Sequence, residues 1–118
     1  MTQAVQAVPS HSYVLVVYSK DGRELGRFPL REGVNQVGAQ SPGEGIFPDV
    51  DLSRVDNQHI ISRRHAVVRV TRHQVTIADC GSTNGTYVDG KRISTEEVAV
   101  NENSSISFAN IHAKLVRG

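Results

Sequence analysis

Apolar residues in this chain fall in short, valine-rich runs and not at helical spacing. Tyr13-Val14-Leu15-Val16-Val17-Tyr18 is a β-branched run fit for a buried strand. Lys20-Asp21-Gly22-Arg23 supplies a turn, and residues 25–30 return as a second strand, whose Pro29 predicts an edge position. Further strands are predicted over 34–38, 50–52, 66–70 and 74–78, the last two joined as a hairpin through Thr71-Arg72-His73. Tyr87-Val88 and Arg92-Ile93 flank Asp89-Gly90, a second Asp-Gly hairpin signal. Residues 105–108 and 112–116 close the pattern as a hairpin around Ala109-Asn110-Ile111. The intervening segments, 39–48 with its glycines and prolines and 53–61 with its polar residues, are predicted loops. Strand signals at short spacing with turns between them predict an all-β sandwich or barrel.

Composition narrows this picture. The chain has 118 residues, about one domain, and 38% of them are hydrophobic. Trp is absent and aromatics make up 5%, so the core is expected to be aliphatic, with valine leading. Residues 1–11 are small, polar and proline-containing, which predicts a flexible arm or linker before a domain over 12–118. A net charge of +1 with scattered basic residues points away from nucleic acid. No run approaches the roughly 18 apolar residues that cross a bilayer, so no membrane insertion is expected. One cysteine, Cys80, excludes an internal disulfide and a cysteine-based zinc site, and a reducing, cytoplasmic setting is the expectation. Cys80 itself is expected to be a small buried hydrophobe.

Two polar segments carry the candidate chemistry. One is Ile61-Ser62-Arg63-Arg64-His65-Ala66, and the other runs Asp79-Cys80-Gly81-Ser82-Thr83-Asn84-Gly85-Thr86-Tyr87-Val88. Each leads into a short strand and presents hydroxyl, amide and backbone donors. Two such loops at one end of a sandwich make a shallow surface for an anion or a peptide. His11, His59, His73 and His112 form no ligand spacing with His65, so no metal or cofactor is expected. Ser62, His65 and Asp79 also contain the residue types of a hydrolase. No nucleophile elbow accompanies them, and an enzyme is not expected.

Taken together in this order and spacing, these segments resemble the forkhead-associated (FHA) domain. The likeness runs from about Tyr13 to Val116. Val37-Gly38 is similar to that family's glycine-containing strand end, and Phe47-Pro48-Asp49-Val50-Asp51-Leu52 to a strand of bacterial members. The resemblance implies a β-sandwich of about eleven mostly antiparallel strands that recognises phosphothreonine peptides through loops at one end. The implied partner is a protein or peptide bearing phosphothreonine, such as a substrate of a Ser/Thr kinase, in signalling or assembly. By resemblance, Ser62 and Thr83 would bond the phosphate, Arg63 would reach the phosphate or the peptide backbone, and Asn84 would hold the peptide main chain. Arg64 carries no implied ligand role. Gly38, His65, Gly81, Ser82 and Gly85 would support the loops.

The pattern departs at one position. Members that bind phosphothreonine mostly carry an arginine after the strand-end glycine, and this chain has Ala39. A charge-assisted hydrogen bond is worth about 1.5–3 kcal/mol, or about 10- to 100-fold in affinity. Either Arg63 or a loop arginine such as Arg54 supplies the missing charge, or the domain binds its partner without phosphate. Asn103-Ser104 also replaces a usual Gly-Asp, a change confined to a turn.

Overall fold

Valine-rich alternation produces two packed sheets in the computed structural model, which describes residues 12–118. The strands are β1 (Tyr13–Tyr18), β2 (Glu24–Leu30), β3 (Gly33–Gly38), β4 (Val50–Asp51), β5 (Ala66–Val70), β6 (Val75–Asp79), β7 (Thr86–Val88), β8 (Lys91–Arg92), β9 (Val98–Val100), β10 (Ile106–Phe108) and β11 (Ile111–Arg117). One sheet has the order β2-β1-β11-β10-β7-β8 and the other β4-β3-β5-β6-β9. All pairings are antiparallel except β3 with β4. The expected arm, residues 1–11, lies outside the described residues.

The inward faces follow the period of two that a pleated strand imposes. β5 buries Ala66, Val68 and Val70, and β11 buries Ile111, Ala113 and Leu115. Leu15 and Val17 from β1, Val37 from β3, and Ile106 and Phe108 from β10 meet them between the sheets. Asn35, 1% exposed among these aliphatics, is fully engaged: its amide donates to Arg31 O and Val68 O, and its carbonyl accepts from Arg31 N.

Turn chemistry fixes the ends. Asp89 and Gly90 have φ of 51° and 82°, the two positive values that a tight hairpin of matching twist requires. β2 is an edge strand, so Pro29 costs the ladder nothing. One strand escapes the residue pattern. β9 follows Glu96-Glu97 and spans three residues, too short for alternation to register. Cys80 is exposed, against expectation: β6 ends at Asp79, and the chain then turns outward at the loop rim.

Candidate functional site

The two polar segments lie on the same end of the sandwich because β5 and β6 are adjacent strands. The loop before β5 and the loop after β6 therefore leave from neighbouring positions, with Ala66 opposite Asp79.

The β6–β7 loop is built around a buried carboxylate. Asp79 Oδ2 accepts from the N–H groups of Gly81 (2.8 Å) and Ser82 (2.9 Å), and Oδ1 accepts from the hydroxyls of Ser82 (2.6 Å) and Thr86 (2.8 Å). Burial pushes this carboxyl's pKa up, but the hydroxyls of Ser82 and Thr86 and the two N–H groups bond its ionised form. The net result lies below the ordinary carboxylate range. The Ser82 hydroxyl in turn accepts from Gly85 N at 3.0 Å. Gly81 and Gly85 take φ of 77° and 88°, which a residue with a Cβ adopts only under strain.

His65 ties this loop to the one before β5. Its Nδ1 accepts from Ser62 N at 3.1 Å, so the ring proton sits on Nε2, which donates to Gly85 O at 2.8 Å. The ring is 0% exposed and stands edge-on to Phe108 with centroids 6.1 Å apart. Ser62 Oγ accepts from Thr83 N at 3.1 Å, and Asn84 Nδ2 donates to Ile60 O at 2.8 Å. Asp56, 6% exposed, holds the other side of the loop by accepting from Ile60 N and Ile61 N. Gly38 lets the loop approach β3: a Cβ there would lie 1.9 Å from Arg63 O.

Between these loops is a shallow cleft of about 450 Å³, lined by His59, Ile60, Ile61, Ser62, Arg63, Thr83 and Asn84. The structure thus brings Ser62, Arg63, Thr83 and Asn84 together, and it sets Gly38, His65, Gly81, Ser82 and Gly85 beneath or beside them. The hydroxyl protons of Ser62 and Thr83 and the backbone N–H groups of Arg63 and Asn84 have no internal acceptor among the described residues. Four donors converging on one hollow suit an oxyanion.

Ala39 adds no charge. It packs against the core edge and gives its N–H to Ser62 O at 3.1 Å. Arg54 is exposed and is not among the residues that line the cleft. Arg63 does line it, but its guanidinium is paired with Glu44 (Nε to Oε1, 3.1 Å). Three residues at the site were not singled out from the sequence, and a fourth, Asp79, was named there only for its residue type in a hydrolase set. Asp79 had a readable signal, since Asp followed by small residues two and three positions on is an Asx-turn pattern. Asp56, Glu44 and Arg92 had none. Arg92 comes from β8 to place its guanidinium against Gly85 and Thr83 O, a contact made only by the folded hairpin.

Comparison with known proteins gives concordant results. The FHA domain family model matches residues 41–109. The FraH protein of a Nostoc species is 46% identical over 60 residues, covering 51% of this chain and 21% of FraH. The glycogen accumulation regulator GarA of Mycobacterium tuberculosis is 34% identical over 96 residues, covering 80% of this chain and 52% of GarA. The chain therefore spans about half or less of the length of these relatives. A solved structure from work on phosphothreonine-dependent FHA domain interactions superposes with a TM-score of 0.68 at 26% identity, covering 91% of this chain and 96% of the other.

Proposed function

This chain belongs to the FHA domain family, and from that premise we propose that it is a protein-interaction module that recognises phosphothreonine peptides through the cleft between Ser62 and Thr83. The observation that carries the reading is that one cleft is lined by the Ser62 and Thr83 hydroxyls and by Arg63 and Asn84, whose backbone N–H groups have no internal acceptor among the described residues, beside a guanidinium. A phosphate accepts from all of these at once. An extended peptide main chain meets Asn84, whose carbonyl oxygen stays available as an acceptor while its amide braces Ile60. The phosphothreonine-dependent interactions studied with a structural relative support the same reading.

The geometry argues for binding over catalysis. A serine hydrolase needs an imidazole nitrogen free to take the serine proton. Both nitrogens of His65 are engaged, Nδ1 by Ser62 N and Nε2 by Gly85 O, and the ring is buried. We read His65 as a brace, and the partner as a phosphorylated protein in signalling or assembly inside the cell. No helix among the described residues is long and apolar enough to cross a membrane.

Ala39 gives the phosphate-independent reading its one foothold, and a single titration separates the two. A labelled phosphothreonine peptide library and its threonine counterpart are titrated against the protein. Preference for the phosphorylated library is expected, with Ser62→Ala and Thr83→Ala each weakening it by about tenfold. Equal binding of the two libraries would overturn phosphate recognition in favour of phosphate-independent binding.

A further inference from the structure

Arg92 stands behind Thr83, its Nη2 3.5 Å from the Thr83 carbonyl oxygen, so among the described residues Arg63 alone brings a guanidinium into the lining of the cleft. That guanidinium is already held. Glu44 takes it by two contacts, Nε to Oε1 at 3.1 Å and Nη1 to Oε2 at 3.4 Å. One is an ion-pair contact and the other a long hydrogen bond, and a carboxylate held there competes with a phosphate for the same guanidinium charge.

The carboxylate is not a loose surface group. Glu44 closes a single 3-10 turn, Pro42–Glu44, between Ser41 and Gly45. Glu44 N donates to Ser41 O (2.9 Å), Gly45 N to Pro42 O (3.0 Å), and Ser41 and Ile46 exchange backbone bonds of 2.9 and 3.0 Å. The Ser41 hydroxyl fixes Oε1 at 3.0 Å. Pro42 presets the entry of the turn, and Gly45 leaves it at φ of 71°. The turn is thus built to present this carboxylate, while the pair stays exchangeable: side-chain exposure is 61% for Arg63 and 52% for Glu44. Arg64 shares the small hollow formed by Glu44, Ile46 and Arg63, so Glu44 keeps a cation nearby when Arg63 turns inward.

We propose that Glu44 is an internal competitor for the phosphate, holding Arg63 at the rim of the cleft and thereby setting how strongly the domain depends on phosphate. This rests on the phosphopeptide reading of the same cleft. It makes Glu44 a determinant of selectivity at a site whose other usual cation is replaced by Ala39.

The test is a double-mutant cycle on the intact chain, read by anisotropy with the phosphothreonine library and its threonine counterpart. Glu44→Gln keeps an acceptor for Ser41 and removes the charge. It is expected to tighten the phosphorylated library by about two- to fivefold and leave the threonine library unchanged. Arg63→Gln weakens the phosphorylated library, and Glu44→Gln added to it has no further effect. If wild type discriminates but Glu44→Gln changes nothing, the competitor role is overturned and phosphate recognition stands. An equal gain from Glu44→Gln with and without Arg63 also overturns it, since simple charge repulsion then accounts for the gain. Discrimination that appears only in Glu44→Gln supports the competitor and overturns phosphate dependence of the wild type. Absence of discrimination in every variant overturns both.

Discussion

Two of the carboxylates around the cleft, Asp79 and Glu44, are built in opposite ways. Asp79 is 8% exposed and accepts four hydrogen bonds from its own loop. Glu44 has 52% side-chain exposure and reaches across to Arg63, a partner from another loop. The buried group fixes shape, because every donor around it is left unsatisfied if it goes. The exposed group adjusts charge, because water and salt replace it at small cost. The recognition surface therefore has a rigid floor and an exchangeable rim.

The sharpest way to break that contrast is Asp79→Ala. The buried Ser82 and Thr86 hydroxyls and two backbone N–H groups lose their acceptor, and the expected loss is about 3 kcal/mol or more of unfolding free energy. Urea denaturation measures it. Acid acts on the same group. Its carboxyl titrates lower in the folded protein than in the unfolded chain, where it lies near about 3.9. Its contribution is thus present above that value and is lost as pH falls through the folded one. Asp79→Asn flattens the acid limb of stability against pH. A wild-type limb kept by Asp79→Asn would place the floor's stability elsewhere.

Ala39→Arg tests the rim. It restores a cation beside Ser62 and is expected to raise affinity for the phosphothreonine library by about 10- to 100-fold, while the urea midpoint stays close to wild type. A fall in stability with no gain in affinity would show that Ala39 serves core packing and that the cleft does not receive a side chain from that position. At about 1.4–2.8 kcal/mol the effect is somewhat smaller than that of Asp79→Ala but lies wholly in binding, which is the contrast between rim and floor.

The floor was more legible in the sequence than the rim. Valine alternation, the Asp89-Gly90 turn and the Pro29 edge position are local signals, and each corresponds to the observed element. β9 was missed because three residues after two glutamates carry no period. The hydroxyl and amide loops were legible because their donors are presented by the motif itself. Glu44 was not, since its role depends on where a glycine- and proline-bearing turn folds relative to a loop 19 residues away. Arg92 was hidden for the same reason: its neighbour Gly85 is brought to it by the β7–β8 hairpin. Cys80 misled because a free cysteine behaves most often as a small buried hydrophobe, whereas here it follows the end of β6 and is exposed.

Asn84 stands between floor and rim, and it gives the smallest expected effect. Its amide donates to Ile60 O across the cleft, yet the side chain is exposed, so Asn84→Ala costs stability only about 0.5 kcal/mol or less. Phosphopeptide affinity is expected to fall about fivefold, a hydrogen bond's worth. The loss has two separable routes: a missing contact to the peptide, or a loosened Ile60 segment. Hydrogen exchange decides between them. The Ile60 and Ile61 N–H groups are held by Asp56, which the substitution does not touch. Exchange at those two amides is expected to match wild type in Asn84→Ala, which assigns the loss to the peptide contact. Faster exchange there would instead make Asn84 part of the floor, acting on the partner only through the shape of the loop.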